Sequence, residues 1–592
     1  MMPRIGGAAA RRVARLAVCV LLAFAALGAR ERPRDAAPLP PDHKVVDAEL
    51  GRFGGRIVLA SRNGPRTFNG ITANEVSSTD VTNRLYEQLI TYNNELQRAE
   101  PGIAKSWERS RDGRTWTMHL RHAFFSDGTP ITSADVLFSF DVVYDPRVHP
   151  STAELVKVRG QKFQLSAPDD STVVFRLADS YGVFLDVIGA VNIMPRARLE
   201  SAFREGKFES AYGINTRPED LVTSGPWRLK QFAPGERVVL EPNPYWYESD
   251  RRGRRLPYLD EIVWLVVPDQ NAELLKFEQG EIDAIDVPRS LDFPRLKAGE
   301  AQGRYVVHDL GVSLATVFFG FNLNLKADLR TPCADPVKYR WFSNLNFRRA
   351  VAMAADQGKM VRLAYQGQAS PNWGPSTRGN KKWYDPDVKQ YSHDTERARR
   401  LLQREGFEDR NHDGWLEDPE GNKVQFSIIT NADNNVRVSL CNLLKSDLRQ
   451  VGIDLVVTPL DFNQLIGRIR DSKDFEALLL GFAGGVPPDP ALGQNVWKSR
   501  GKNHFWYSDQ PRPMTAWEAE CDSLMDELSR VEDQARRKRL WDRVQEIVTD
   551  QAVIVYLPSE RAYVVARNKF GNLRPALIPH RVLWNSSRIF LK

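Results

Sequence analysis

The sequence predicts an α/β protein of more than one domain, on three observations. Short apolar strand runs alternate with amphipathic helical stretches over most of the chain, the pattern of layered α/β lobes. At 592 residues the chain exceeds what one hydrophobic core serves. Its 42% hydrophobic and 27% charged residues are ordinary for a globular protein.

The elements follow in chain order. Arg4, Arg11, Arg12 and Arg15 precede an apolar run from Leu16 to Leu27 and then Gly28-Ala29, the three-part pattern of a signal peptide over residues 1–29. The run is shorter than the roughly 20 apolar residues of a membrane span, and Cys19 sits inside it rather than at its end, which fits a lipoprotein site poorly. Residues 30–50, rich in Pro, Arg and Asp, read as a disordered leader. Ile57–Ala60 reads as a strand. Val81, Leu85 and Leu89 recur every four residues and predict a helix whose start carries Glu75, Ser77, Ser78 and Thr79. Its hydroxyls and unpaired amides suit either plain capping or a polar ligand group.

The densest stretch is Ser110 to Asp141. Trp116, Met118 and Leu120 alternate with Thr115, Thr117 and His119, a half-buried strand. Asp127-Gly128 marks a turn, and Thr132 followed by Asp135 reads as a capping box opening a helix with Val136, Leu137 and Phe140 on one side. Further on, Thr172–Leu177, Val238–Glu241 and Ile262–Val267 read as strands. Tyr181–Val191 and Asp269–Gly280 read as helices. Helices are expected over Thr395–Arg404, Val436–Gln450, Glu518–Ser529 and Gln534–Val548. Strands are expected over Val424–Ile429, Ile453–Val457, Glu476–Leu480 and Val553–Leu557.

Composition excludes some classes. The net charge of +7 falls to +3 if residues 1–29 leave, since they hold four Arg and no acid, so no nucleic-acid partner is implied. Cys333, Cys441 and Cys521 then remain, enough for one disulfide and a leftover thiol and too widely spaced for a short-loop zinc site. No phosphate loop, nucleophile elbow or His-Glu-x-x-His pattern occurs.

Three further places carry candidate sites. The strand ending Phe482-Ala483-Gly484-Gly485 and running on to Asp489 has glycines that let backbone approach a ligand, or that make a flexible turn. Trp497, Trp506 and Trp517 follow in a loop-rich stretch, as cavity walls or as core packing. Asp409, Asn411, Asp413 and Glu420 stand at positions 1, 3, 5 and 12 of a calcium-loop spacing, with Gly414 at position 6. A strand is expected after them where an EF-hand needs a helix, so a hydrogen-bonded Asp/Asn turn is the competing reading.

The wording of Gly102-Ile103-Ala104-Lys105-Ser106-Trp107-Glu108, of Thr115 to Arg121, of Phe125-Ser126-Asp127-Gly128-Thr129-Pro130-Ile131-Thr132 and of Ala134 to Phe140 resembles the signature of the large peptide/nickel-binding family of extracytoplasmic solute-binding proteins of ABC transporters. Phe347 to Asp356 resembles a second landmark of that family. The resemblance implies a periplasmic binding protein-like II fold in its large, two-lobed class C form. Lobe I would comprise 51–97, 225–318 and 556–592, lobe II 319–555, and an inserted small domain 98–224. It implies a soluble, monomeric periplasmic receptor, exported by a cleaved signal peptide, that closes over a solute and delivers it to the membrane subunits of an ABC permease. It implies no catalysis and no required cofactor, with calcium as the one metal suggested by spacing. Peptide binders of the family commonly place an Asp where Gly485 or its neighbour stands; that anchor is missing here, and Asp489 is a substitute only if the loop is displaced. A peptide is the leading solute, an oligosaccharide the alternative, and a secreted glycan hydrolase the alternative of a different class.

Overall fold

A computed structural model describes residues 37–592, apart from 151, 433, 485–487, 579 and 580. The expected signal peptide and Gly485 lie outside the described residues. The alternation around Trp116 produces the strand Thr115–Leu120, with Trp116, Met118 and Leu120 buried and the intervening residues half-buried. It lies second in a four-stranded antiparallel sheet, in the order Ala104–Arg109, Thr115–Leu120, Thr172–Arg176, Gln164–Asp169. The helix Ser133–Tyr144 starts at the expected cap, where the Thr132 N–H donates to the Asp135 carboxylate at 2.9 Å. Phe140 of that helix meets Phe175 of the sheet edge-on at 5.3 Å. This small domain interrupts a larger sheet.

The large sheet has eight strands. Its path runs Trp227–Ala233, Arg237–Pro242, Glu261–Val266, Arg56–Ser61, Ala284–Ile285, Ser559–Arg567, Tyr305–Val312, and Ala369–Ser370 pairs with the start of Ser559–Arg567. A five-stranded sheet runs Asp454–Leu460, Gln425–Asn431, Ala477–Phe482, Thr316–Phe321, Ile554–Leu557. Here the first three strands pair in parallel and the last two antiparallel. The two sheets are the centres of two lobes, the α/β arrangement of the periplasmic binding protein-like II fold. The chain passes between them through residues 313–315 and through Pro558, and Ala369–Ser370 reaches back from the second lobe to pair in the first sheet.

Several expectations need correction. The helix carrying Val81 and Leu85 runs Val76–Leu85 and stops before Leu89, because Tyr86 turns to extended backbone and its hydroxyl donates to the Phe68 carbonyl at 2.9 Å. Leu89 is buried all the same. The apolar run Tyr181–Val191 holds only a short helix, Phe184–Ile188, between Gly182 and Gly189. Residues 37–50, expected to be disordered, pack on the first lobe. Lys44–Val45 pairs in parallel with Glu248–Ser249, and Asp42 receives Lys105 at 2.8 Å while its carbonyl accepts from Arg121 at 2.9 Å. Charges that read as solvated in sequence find partners on other elements here. Cys333, Cys441 and Cys521 are all free thiols. Among the described residues no helix is long and apolar enough to cross a membrane.

Candidate functional site between the lobes

The lobes touch at the C-terminal end of the helix Ala516–Arg530. The Gly182 N–H donates to the Ser529 carbonyl at 2.8 Å, the Ser180 hydroxyl donates to the Arg530 carbonyl at 3.1 Å, and Arg109 pairs with Glu532. The last carbonyls of a helix have no partner within it, so the small domain supplies donors that the second lobe lacks. A Cβ at position 182 would stand 2.2 Å from the Val531 carbonyl oxygen, and only glycine permits the approach.

Beside this contact lies a cavity of about 320 Å3 whose walls come from both lobes. Tyr92 enters from the first lobe, Ala99, Trp116 and Asp186 from the small domain, and Trp383 and Asp489 from the second lobe. Trp116 stacks on Phe184 at 4.8 Å. Trp383 is fixed from behind, by the Arg537 guanidinium 5.1 Å from its ring and by a 3.0 Å bond from the Gln545 amide to its carbonyl. The apolar walls are thus rigid rings.

Five charged side chains also line this cavity: Arg98, Asp186, Lys382, Asp489 and Glu532. Three are spent. Arg98 pairs with Glu100 at 3.4 Å, Glu532 pairs with Arg109, and Asp489 receives both Arg537 nitrogens at 2.7 and 2.9 Å. Asp186 has no hydrogen bond and no ion pair among the described residues. Burial, with the negative charge of Asp489 added, pushes its carboxyl up to about 6, against the opposing pull of the Lys382 and Arg537 charges. Lys382 is exposed and lies with Nζ 5.4 Å from the Trp383 ring centre, out of ion-pair reach of any described carboxylate.

A second cavity, of about 350 Å3, sits between the first lobe and the small domain and shares Tyr92 with the first. Burial pushes its Glu87 carboxyl up to about 8. Glu248 in the same wall is equally buried, which alone would raise it, yet Arg588 and Lys44 hold it down at about 2.

The residues singled out in the sequence fall in several places. Asp489, at the end of the glycine loop, lines the cavity between the lobes. Phe482 stacks on Phe505 at 5.7 Å, Ala483 and Gly484 are exposed, and a Cβ on Gly484, which has φ +84°, would meet Leu314 at 2.9 Å. Trp497 and Trp506 are buried against Trp541 and His504, and half-buried Trp517 packs beside Trp506; none of the three lines that cavity. Ser78 is buried and bonded to Glu75, the Arg66 N–H donates to it at 2.9 Å, and Thr79 donates to the Glu75 carbonyl at 3.1 Å. Ser77 is half-buried beside them. The Ser78 and Thr79 hydroxyls are occupied at the helix start, and none of these residues lines the cavity between the lobes.

In the acidic loop, carboxylate oxygens of Asp409 and Asp413 gather within 4.8 Å of one another and of Glu417. Asn411 braces the turn, accepting from the Asp413 N–H at 2.9 Å. Glu420 pairs with Arg340 instead, because the chain turns at Asp418 into the strand Gln425–Asn431 and carries position 12 away from the loop.

Sequence reasoning missed Tyr92, Asp186, Lys382 and Trp383. The one local signal was an acid, Asp186, alone in the apolar run Tyr181–Val191.

Residues 98–504 match the family model described as bacterial extracellular solute-binding proteins, family 5 middle. A probable ABC transporter-binding protein of Deinococcus radiodurans is 30% identical over 433 residues, covering 70% of this chain and 71% of its own. The oligopeptide-binding protein AppA of Bacillus subtilis is 25% identical over 517 residues, covering 86% and 87%. Its structure with a nonapeptide superposes with a TM-score of 0.69 at 22% identity, over 92% of this chain and all of that one. The periplasmic binding protein MelB of Agrobacterium fabrum, in complex with stachyose, reaches 0.74 at 21% identity, over 95% of this chain and 88% of that one.

Proposed function

The chain belongs to family 5 of the bacterial extracellular solute-binding proteins, and from that premise we propose that it captures a peptide by closing its two lobes over it and hands it to an ABC permease. The family serves ABC importers and consists of solute-binding proteins, not enzymes, so the glycan-hydrolase alternative falls. The observation that carries the reading is the cavity walled by both lobes. A solute touching both walls is bound more tightly by the closed protein than by the open one, and only such a difference drives closure. The permease then receives a closed shape that the solute favours. Export by the N-terminal signal segment places the receptor in the periplasm as a soluble monomer.

Mass spectrometry of small molecules retained by gently purified protein, followed by thermal-shift screening of peptide and sugar libraries, tests the solute class. Stabilisation by peptides supports the proposal. Stabilisation by sugars alone favours an oligosaccharide receptor, a reading supported by the aromatic faces of Trp116 and Trp383 and by the likeness to a stachyose-binding protein.

A further inference from the structure

We infer that Arg537 is the positioning residue that couples the cavity between the lobes to the contact that holds them closed. The inference rests on the reading of capture by lobe closure. The last carbonyls of the helix Ala516–Arg530 have no partner within the helix, and each finds a donor outside it. The Glu527 carbonyl accepts from the Val531 N–H at 3.0 Å, the Leu528 carbonyl accepts from Nε of Arg537 at 3.3 Å, and the Ser529 and Arg530 carbonyls accept from Gly182 and Ser180 of the small domain. The helix end is therefore shared. Its own lobe fixes it through Arg537, and the small domain closes on the two carbonyls that follow.

The same guanidinium builds the cavity wall. Its two terminal nitrogens donate to the Asp489 carboxylate at 2.7 and 2.9 Å, and its carbon lies 5.1 Å from the centre of the Trp383 ring. Asp489 in turn accepts from the Ala491 N–H at 3.0 Å and so holds the loop that carries it. All three nitrogens of Arg537 are used and its side chain is 4% exposed, so it serves the wall and the helix end in one fixed pose. A lysine keeps the charge beside Asp489 but lacks the planar fork that reaches an acceptor on each edge. A neighbouring link from Arg536 to Glu527 at 3.0 Å joins the same two helices at the surface, and neither residue lines the cavity. A solute seated against Trp383 and Asp489 thus meets a wall that one buried group sets together with the closure contact, and binding at the wall favours the closed state.

The test is amide hydrogen exchange and small-angle scattering of the full mature protein without added solute. The Gly182 amide reports the closure contact and the Ala491 amide reports the wall. Arg537→Lys is expected to speed exchange at both amides at least tenfold and to enlarge the radius of gyration as Gly182→Ala does. Combined, the two changes are expected to enlarge it no more than either alone, because both break one contact. Arg536→Gln is expected to alter neither exchange nor radius. Faster exchange at only one of the two amides or at neither, an additive effect of the combined changes, or an equal effect of Arg536→Gln overturns the inference. If Gly182→Ala enlarges the radius and Arg537→Lys does not, this inference alone falls; if neither does, the closure reading falls with it. Should Arg537→Lys fail to fold, Arg537→Met with Asp489→Leu removes both charges together and leaves none buried and unpaired. That protein is expected to show the same faster exchange at Gly182, and exchange at the wild-type rate overturns the inference.

Discussion

Arg537 and Asp489 face each other through two hydrogen bonds with both side chains 4% exposed, and Arg537 also covers the Trp383 ring. Removing one member of such a buried pair leaves the other charged and unsolvated, at a cost of about 3–5 kcal/mol. Arg537→Gln should therefore lower the urea midpoint strongly, whereas Arg217→Gln, which breaks an exposed pair with Asp220, should barely move it. Glu87 presents the opposite case, a buried carboxyl kept neutral, with Lys44, Arg121 and Glu248 as the charges around it. Folded, it keeps its proton up to about pH 8; unfolded, it ionises near the ordinary 4.5. Between those values the folded state holds more protons, so stability falls as pH rises through the window, by up to about 1.4 kcal/mol per pH unit. Denaturant unfolding at pH 5 and pH 8 should show Glu87→Gln gaining stability relative to wild type at the higher pH.

At the scale of elements, caps explain why the predicted boundaries agree so closely. The helix Gln270–Gln279 starts where the Asp269 carboxylate accepts from the Ala272 N–H at 2.8 Å and ends at Gly280 with φ +86°. The space at Gly280 is open, with no atom nearer to a Cβ than 3.7 Å, so Gly280→Ala isolates the left-handed backbone cost. A loss of about 1–2 kcal/mol is expected, read by chemical denaturation. Thr395–Arg404 has the same logic, with Asp394 accepting from the Arg397 N–H at 2.8 Å. Caps and periodicity lie within a few residues of each other, and the sequence displays them directly. Where an element depended on distant partners the reading slipped, as at Tyr86, whose hydroxyl is held by Phe68, and at residues 37–50, whose charges are matched by Lys105, Arg121 and Glu248.

At the scale of the molecule, the lobes are joined through 313–315 and Pro558 and held shut at the small domain. The hinge is itself braced, by Ser313 N–H donating to the Glu560 carbonyl at 2.8 Å and Thr377 donating to the Ser313 carbonyl at 2.6 Å. Gly182→Ala introduces a methyl that collides with a backbone oxygen of the opposite lobe. The closed fraction should fall, so small-angle scattering of unliganded protein should show a larger radius of gyration. The apparent Kd for a retained solute should rise about tenfold if the closed fraction drops by that factor. An unchanged radius and unchanged affinity would mean that the contact with Ser529 does not hold the lobes together.

The sequence by itself determined the α/β class, most strands and helices with their caps, and the family, because each is encoded in neighbouring residues or in a long run of wording. Only the tertiary structure decided the site. Its walls at Tyr92, Trp116, Asp186, Trp383 and Asp489 are hundreds of residues apart at the extremes, and whether a charge there is free depends on a partner that no local pattern reveals. Asp489 looked available and is consumed by Arg537; Asp186 looked like one polar residue in an apolar run and lines the cavity without a hydrogen bond or ion pair among the described residues. Glu417 took the place expected of Glu420 for the same reason, a strand that redirected the chain. Availability of a charge is a property of its three-dimensional neighbours.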